Sequence, residues 1–327
     1  MAWAIIVTPV RAPIGKRVSI RFHDPEGGFR DLVGYLESEN SLRNRHGELI
    51  NFDAEKIALM RVIEEKNFPA GKGAPLSIRI QELEKVLSKT WPASRQEFFG
   101  KWLIRTSGKF TMRANSVAPT GKSPYGEPQT NIDEAIAYVI NHYEKEGLIP
   151  TFSIPLPTYQ ELDSKLSEAG WIEKLRAHVM VADISEPFLN NSQFKTVISD
   201  TFDEKWLDLQ GDHGVAGLMR AYPALYASVF DGDKLIGAGR AAHAEGWSAV
   251  TRVFVHPDYR GQGVSKLIVN GLLKSSFESG VKKSVLQVDS KNTTAINLYL
   301  SLGFNFHHEY IYRTFPKSLQ ILEEGCC

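Results

Sequence analysis

Apolar and polar positions alternate along residues 17–22, RVSIRF, with Val18, Ile20 and Phe22 on one side and Ser19 and Arg21 on the other. A period of two puts the apolar set on one face of a half-buried strand. DPEGGF (24–29) breaks the run with Pro25, Gly27 and Gly28. The same pattern resumes in DLVGYLE, in LRNRHGELINF with a hairpin turn at His46 and Gly47, and in IALMRVI. Residues 1–68 are therefore predicted to form a small β-barrel of four or five strands. Its charges balance and its aromatics are few, which fits a packing or dimerisation module better than a nucleic-acid surface.

The pattern changes after KNFPAGKGAP (66–75), whose Pro, Gly and Lys content marks a linker. LSIRIQELEKVLSKTW places Ile80, Leu83, Val86 and Leu87 at helical spacing. Two strands are expected next, KWLIRT and KFTMRANSV, followed by the loop APTGKSPYGEPQTN (118–131). From there the order helix, strand, helix, strand occurs twice, and the glycines that stop the helices recur at one spacing: 280 − 147 and 303 − 170 both give 133. Gly is the residue best suited to the left-handed position beyond a helix. Two coincident stops within one element order point to a tandem duplication, with residues 69–187 as the first half, 188–318 as the second and 319–327 as a tail.

Composition narrows the class of protein. The 327 residues carry a formal net charge of +0, with 43% hydrophobic and 23% charged residues. That balance offers no electrostatic grip on nucleic acid or an anionic membrane. MAWAIIVTPV is too short to span a bilayer and lacks the basic region of a signal peptide. Both cysteines, Cys326 and Cys327, stand at the end, which excludes an internal disulfide framework and fits a reducing cytoplasm. The terminal GCC lacks the basic stretch that accompanies prenylation signals and reads as a free end.

Candidate chemistry centres on Arg260, Gly261, Gln262, Gly263, Val264 and Ser265, between the strand AVTRVFV and a helix whose apolar face is Val264, Leu267, Ile268 and Leu272. Small residues at a helix start let a ligand approach backbone N–H groups at the positive end of the dipole, an arrangement suited to a pyrophosphate. In the first half the corresponding positions are Glu127 for Arg260 and Thr130 for Gly263, so that half is expected to be inert.

VFVHPDYRGQGVSKLI followed by LQVDSKNTTAINLYLSLGF resembles the GCN5-related N-acetyltransferase (GNAT) superfamily. Arg260 and Gly263 match its coenzyme loop, with Ser265 where Gly or Ala is usual, and Asn292, Ala295, Leu298, Tyr299, Gly303 and Phe304 match its later helix. The whole chain is similar to actinobacterial acetyltransferases that join an SH3-like barrel to a tandem GNAT region. The resemblance implies an α/β fold with a mixed sheet, one degenerate half and one acetyl-CoA-binding half. It further implies that Val253, Phe254 and Val255 border the pantetheine arm, that Asn292 and Tyr299 contact the coenzyme, and that Tyr299 protonates the departing thiolate.

For the base that deprotonates the amine, the candidates are Glu245, His243 and Asp289. No metal is expected, because His307 and His308, as strand neighbours, should point to opposite faces. The expected activity is acetyl transfer from acetyl-CoA to a primary amine of a small molecule or protein, with a homodimer as one available assembly. The alternatives are a non-catalytic acyl-CoA-binding module and a mycothiol-synthase-like acetyltransferase. Acceptor-binding loops are expected in residues 118–131 and 201–224.

Overall fold

The computed structural model describes residues 14–24, 27–44, 48–63, 68–109, 111–186 and 192–316. The chain divides into two units, Met1–Asn67 and Phe68–Cys327. In the first, β1 (Arg17–His23), β2 (Phe29–Ser38), β3 (Ser41–Asn44), β4 (Leu49–Asn51) and β5 (Ile57–Val62) form an antiparallel sheet in the order β4-β3-β2-β1-β5. The alternation read from RVSIRF is realised: Val18, Ile20 and Phe22 are buried with Leu36, Leu42 and Phe52 in one core of a small barrel-like unit. The predicted turn at His46 and Gly47 lies outside the described residues.

The second unit begins with α1 (Leu76–Thr90), β6 (Arg95–Phe99), β7 (Trp102–Thr106), β8 (Val117–Pro119), α2 (Ile132–Lys145), β9 (Thr151–Leu156), α3 (Gln160–Glu168) and β10 (Ile172–Asp183). It continues with β11 (Lys195–Ser199), α4 (Glu204–Gln210), α5 (Ala216–Arg220), β12 (Leu225–Asp231), β13 (Lys234–Ala244) and β14 (Trp247–Val255). The chain then runs through α6 (Val264–Glu278), β15 (Lys283–Asp289), α7 (Thr293–Ser301) and β16 (Asn305–Thr314). A shift of 133 residues carries α3 onto α7 end for end, and α2 and β9 onto α6 and β15 to within one residue. All four helix-stop glycines, Gly147, Gly170, Gly280 and Gly303, have positive φ. Beyond each, the next amide bonds back to the same place: Leu148 to Tyr143, Trp171 to Leu166, Val281 to Ser276 and Phe304 to Tyr299. This is the Schellman closure, which needs a residue free of a Cβ penalty at the turn.

The eleven strands described form one mixed sheet, β11-β12-β13-β14-β15-β10-β16-β9-β8-β7-β6. Each half gives its last strand to the other: β10 lies against β15, and β16 lies against β9. Ala177 faces Tyr310 across the β10/β16 pair, and these two positions are related by the 133-residue shift. A pseudo-twofold axis therefore passes between them. Neighbours on the strands serve opposite faces: Ala249 and Val285 pack with Leu83, Val86 and Leu87 of α1, whereas Val250 and Leu286 pack with Ile268 and Leu272 of α6. Gly237 and Gly239 lie beneath Val264 and Ile268, where a Cβ would collide with the helix. Their lack of side chains sets how closely α6 approaches β13.

One predicted strand is corrected. KFTMRANSV joins a strand only at Val117; Lys109 makes one isolated bridge to Ser107, and the described residues between form bends and turns. Buried Asn115 diverts the backbone: its side-chain oxygen accepts from Ser107 N at 2.6 Å, and its nitrogen donates to Ser107 O and Thr111 O, both at 2.9 Å. A side chain that supplies both ladder partners competes with strand pairing.

Candidate active site

Strands β14 and β15 run parallel and pair from Trp247↔Lys283 to Val250↔Leu286, where the pairing stops. Beyond it β14 stays with β13 through a register shift, and Arg252 takes a left-handed conformation with φ 59°. The carbonyl of Arg252 accepts from Gln210 Nε2 at 2.9 Å, and its guanidinium holds Asp212 at 2.9 Å. A non-glycine residue held there by flanking bonds is a bulge that redirects its strand. The consequence is a gap between Thr251–Val255 and Gln287–Asp289.

On one face of this gap stands the loop before α6. Gly261 and Gly263 have φ of 77° and 80°, and added Cβ atoms would meet only open space. The amides of Gly261, Gln262, Gly263, Val264 and Ser265 have no acceptor among the described residues, α6 has no side-chain cap, and its first turn holds no acid. Arg260 lies beside them, its Nε 3.5 Å from Val255 O, while Gln262 donates to Asp258 O. The matching end of α2 is closed. Asn131 caps it by accepting from Glu134 N at 3.0 Å, Asp133 and Glu134 occupy the first turn, and Glu127 accepts from Lys122 N. The first terminus is open and suited to an anion; the second is neutralised and acidic.

Tyr299 on α7 faces the same side, in one apolar cluster with Val255, Val264 and Val288 and with its ring edge against Phe304 at 5.9 Å. Burial pushes its phenol up to about 12, and its hydroxyl bonds to no described residue. The equivalent position in the first half is Leu166, fully buried. Asn292 is the N-cap of α7, accepting from Ala295 N at 3.0 Å, and so has a structural duty.

On the opposite face, that of α1, the gap opens into a cleft of about 480 Å³. Thr251, Arg252, Gln287, Asp289 and Tyr310 line it from the strands, and Trp91 and Arg113 from the segments that follow α1 and precede β8. Of the three base candidates, only Asp289 borders the cleft; its Oδ1 accepts from Lys291 N at 2.8 Å. Glu245 sits at the β13/β14 hairpin turn, bound to Lys89 at 3.1 Å and Lys85 at 3.4 Å, and these ammonium groups hold its carboxyl below the usual range. His243 faces α6 through Ser276 at 2.9 Å, and burial lowers its pKa. Both stand where β14 and β15 are still paired. Sequence reasoning missed Trp91, Arg113, Arg252 and Gln287. Of the two expected acceptor loops, 201–224 contributes Val215, whereas 118–131 lines a separate cavity of about 720 Å³ with α1.

The expected opposition of His307 and His308 is also corrected. The β10/β16 register skips His307, and this bulge turns the two rings together, with Nδ1 atoms 2.8 Å apart. His308 Nε2 is 3.2 Å from Glu84, and burial, then His308, Arg79 and Lys72, push His307 down to about 4. Among the described residues no group of three or more His, Cys, Asp or Glu is placed to hold a metal.

Residues 77–313 match the family profile described as "Probable histone acetyltransferase Rv0428c C-terminal". The chain is 26% identical over 248 residues to the uncharacterized N-acetyltransferase YobR of Bacillus subtilis, covering 72% of this chain and 98% of that protein. It is similar in fold to a GCN5-related N-acetyltransferase from Kribbella flavida (TM-score 0.59, 14% identity, 72% and 95% of the two chains). A tandem GNAT protein from the clavulanic acid biosynthesis pathway matches with TM-score 0.50 and 13% identity over 72% and 87% of the chains. With a family profile spanning most of its length, the chain belongs to the Rv0428c-type acetyltransferases, and its fold is that of GNAT proteins.

Proposed function

We propose that the protein transfers an acetyl group from acetyl-CoA to a primary amine by direct attack, using the second half alone. The open amides at Gly261–Ser265, set against the self-capped acidic end of α2, carry this reading. Those amides and Arg260 would hold the coenzyme's diphosphate, and the unpaired edge of Val253–Val255 would border its pantetheine arm. Coenzyme and amine then enter from opposite faces of the sheet and meet in the gap, so that catalysis rests largely on positioning.

The amine nitrogen forms a bond to the thioester carbonyl carbon, and the carbon–sulfur bond breaks. The sulfur takes the phenolic proton of Tyr299, which burial keeps protonated across neutral pH and which solvent then restores. Asp289, directly or through water, takes the proton released by the amine. A bare amide near Val255 would stabilise the developing oxyanion.

Calorimetric titration with acetyl-CoA tests the reading. One site per chain is expected, lost in Gly263→Asp and retained when Thr130 or Asn131 is replaced. Absence of binding to the unaltered protein overturns it.

A further inference from the structure

The acceptor cleft is built for negative charge. Arg240 is fully buried and has no carboxylate partner among the described residues, where its Nη2 donates to Thr90 O and Tyr222 O and its Nε and Nη1 have no acceptor. Its guanidinium stands 5.4 Å over the ring of Trp91, a wall of the cleft. Arg113, half-buried in the same wall, stands 6.0 Å over that ring and forms no ion pair among the described residues. Arg252 is the third guanidinium, and Asp212 neutralises it alone. Among the described residues, Trp91 Nε1 is a further buried donor without an acceptor, and Gln287 Oε1 a buried acceptor without a donor. Four of the unpartnered buried polar atoms, on Trp91, Thr251, Arg252 and Gln287, belong to residues of this one cleft. A buried cation without a counter-charge, such as Arg240, is costly, and an anion in the cleft beside Trp91 and Arg113 relieves part of that cost.

Resting on the acetyl-transfer reading above, we propose that the acceptor is a small amine carrying a carboxylate, of amino-acid size. Its carboxylate lies toward Arg113 and Trp91, and its amine toward Gln287 and Asp289 at the gap. Asp289 on β15 and Arg113 in the loop before β8 give the cleft one group of each sign, a pair matched to such a molecule. The cleft volume of about 480 Å³ suits a free amino acid.

The test compares free amino acids with their C-terminal amides, which keep the amine and lose the charge. Each pair is measured by initial rates at saturating acetyl-CoA and by calorimetry on the coenzyme-free protein, for the unaltered chain, Arg113→Gln and Arg113→Lys. The unaltered protein should favour the carboxylate by about tenfold or more, the scale of a charge-assisted hydrogen bond. Arg113→Gln should abolish that preference by raising KM for the free amino acid more than KM for its amide, and Arg113→Lys should restore part of it. Equal use of acid and amide, a preference that survives Arg113→Gln, or faster acetylation of an internal peptide lysine overturns the proposal. Carboxylate-selective binding, lost in Arg113→Gln, by a protein that ignores acetyl-CoA would uphold the cleft as an amino-acid site while refuting the acetyl-transfer reading.

Discussion

Tyr299 and Leu166 occupy one position in the two halves, and both are buried in helices of the same length. Packing alone is met by Leu, whereas the proposed protonation of the thiolate gives the phenol in the second copy a use that packing does not. Tyr299→Phe should lower kcat by about a hundredfold or more, the usual scale of a lost general acid, with little change in acetyl-CoA affinity or melting temperature. Stopped-flow release of thiol checks this, and equal loss of affinity and kcat would point to packing instead. A second residue-scale expectation concerns acid. His307 is held down to about 4 in the folded protein, below its ordinary 6.5, so the folded state favours the neutral ring. The stability this provides is present above pH 6.5 and is lost as pH falls toward 4. Denaturant midpoints measured at pH 7 and pH 4.5 should therefore differ less in His307→Gln than in the unaltered protein.

At the scale of elements, α2 and α6 test what a helix start contributes. They match in length and position to within one residue, share a glycine stop, and differ in cap and first-turn charge. Ser265→Glu would place an acid in the first turn of α6 as in α2, and should weaken acetyl-CoA binding by about tenfold, equivalent to about 1.4 kcal/mol. Ser265→Ala should bind nearly as the unaltered chain does, and calorimetry at low and high salt separates charge from shape. This contrast was legible in the sequence, because glycines, acids and caps act within a few residues of where they are written. The wall of the cleft was not. KFTMRANSV has the composition of a strand, and the bonds from Asn115 back to Ser107 and Thr111 that undo it follow only from the folded loop. Arg113 was hidden with it. The bulge at His307 and the left-handed Arg252 escaped for a related reason, since each is imposed by a neighbouring strand or helix, not by its own residue type.

At the scale of the molecule, the 133-residue repeat reads as two domains in series, yet the sheet joins them by exchanged strands. Sequence spacing gives the order of elements but not which edge each strand joins, so the exchange could not be read in advance. Its energetic seam includes Asp163 on α3 and Arg313 on β16, buried at 2.6 Å and 3.2 Å, with Arg313 also donating to Trp171 O at 3.1 Å. The acid comes from the first half and the base from the second. Removing one partner strands a buried charge, so Arg313→Met should cost about 3 kcal/mol, seen as a lower denaturant midpoint. The two halves should nevertheless unfold in one transition, because β10 and β16 each complete the other half's sheet. A fragment of residues 192–316 would leave β15 without β10 and β16 without β9, exposing strand edges and the apolar surface beneath them. Such a fragment alone should aggregate or remain partly unfolded by circular dichroism, and co-expression with residues 68–186 should recover a stoichiometric, acetyl-CoA-binding complex. A soluble, cooperatively folded 192–316 fragment would mean that the exchange is dispensable and that each half carries its own stable sheet.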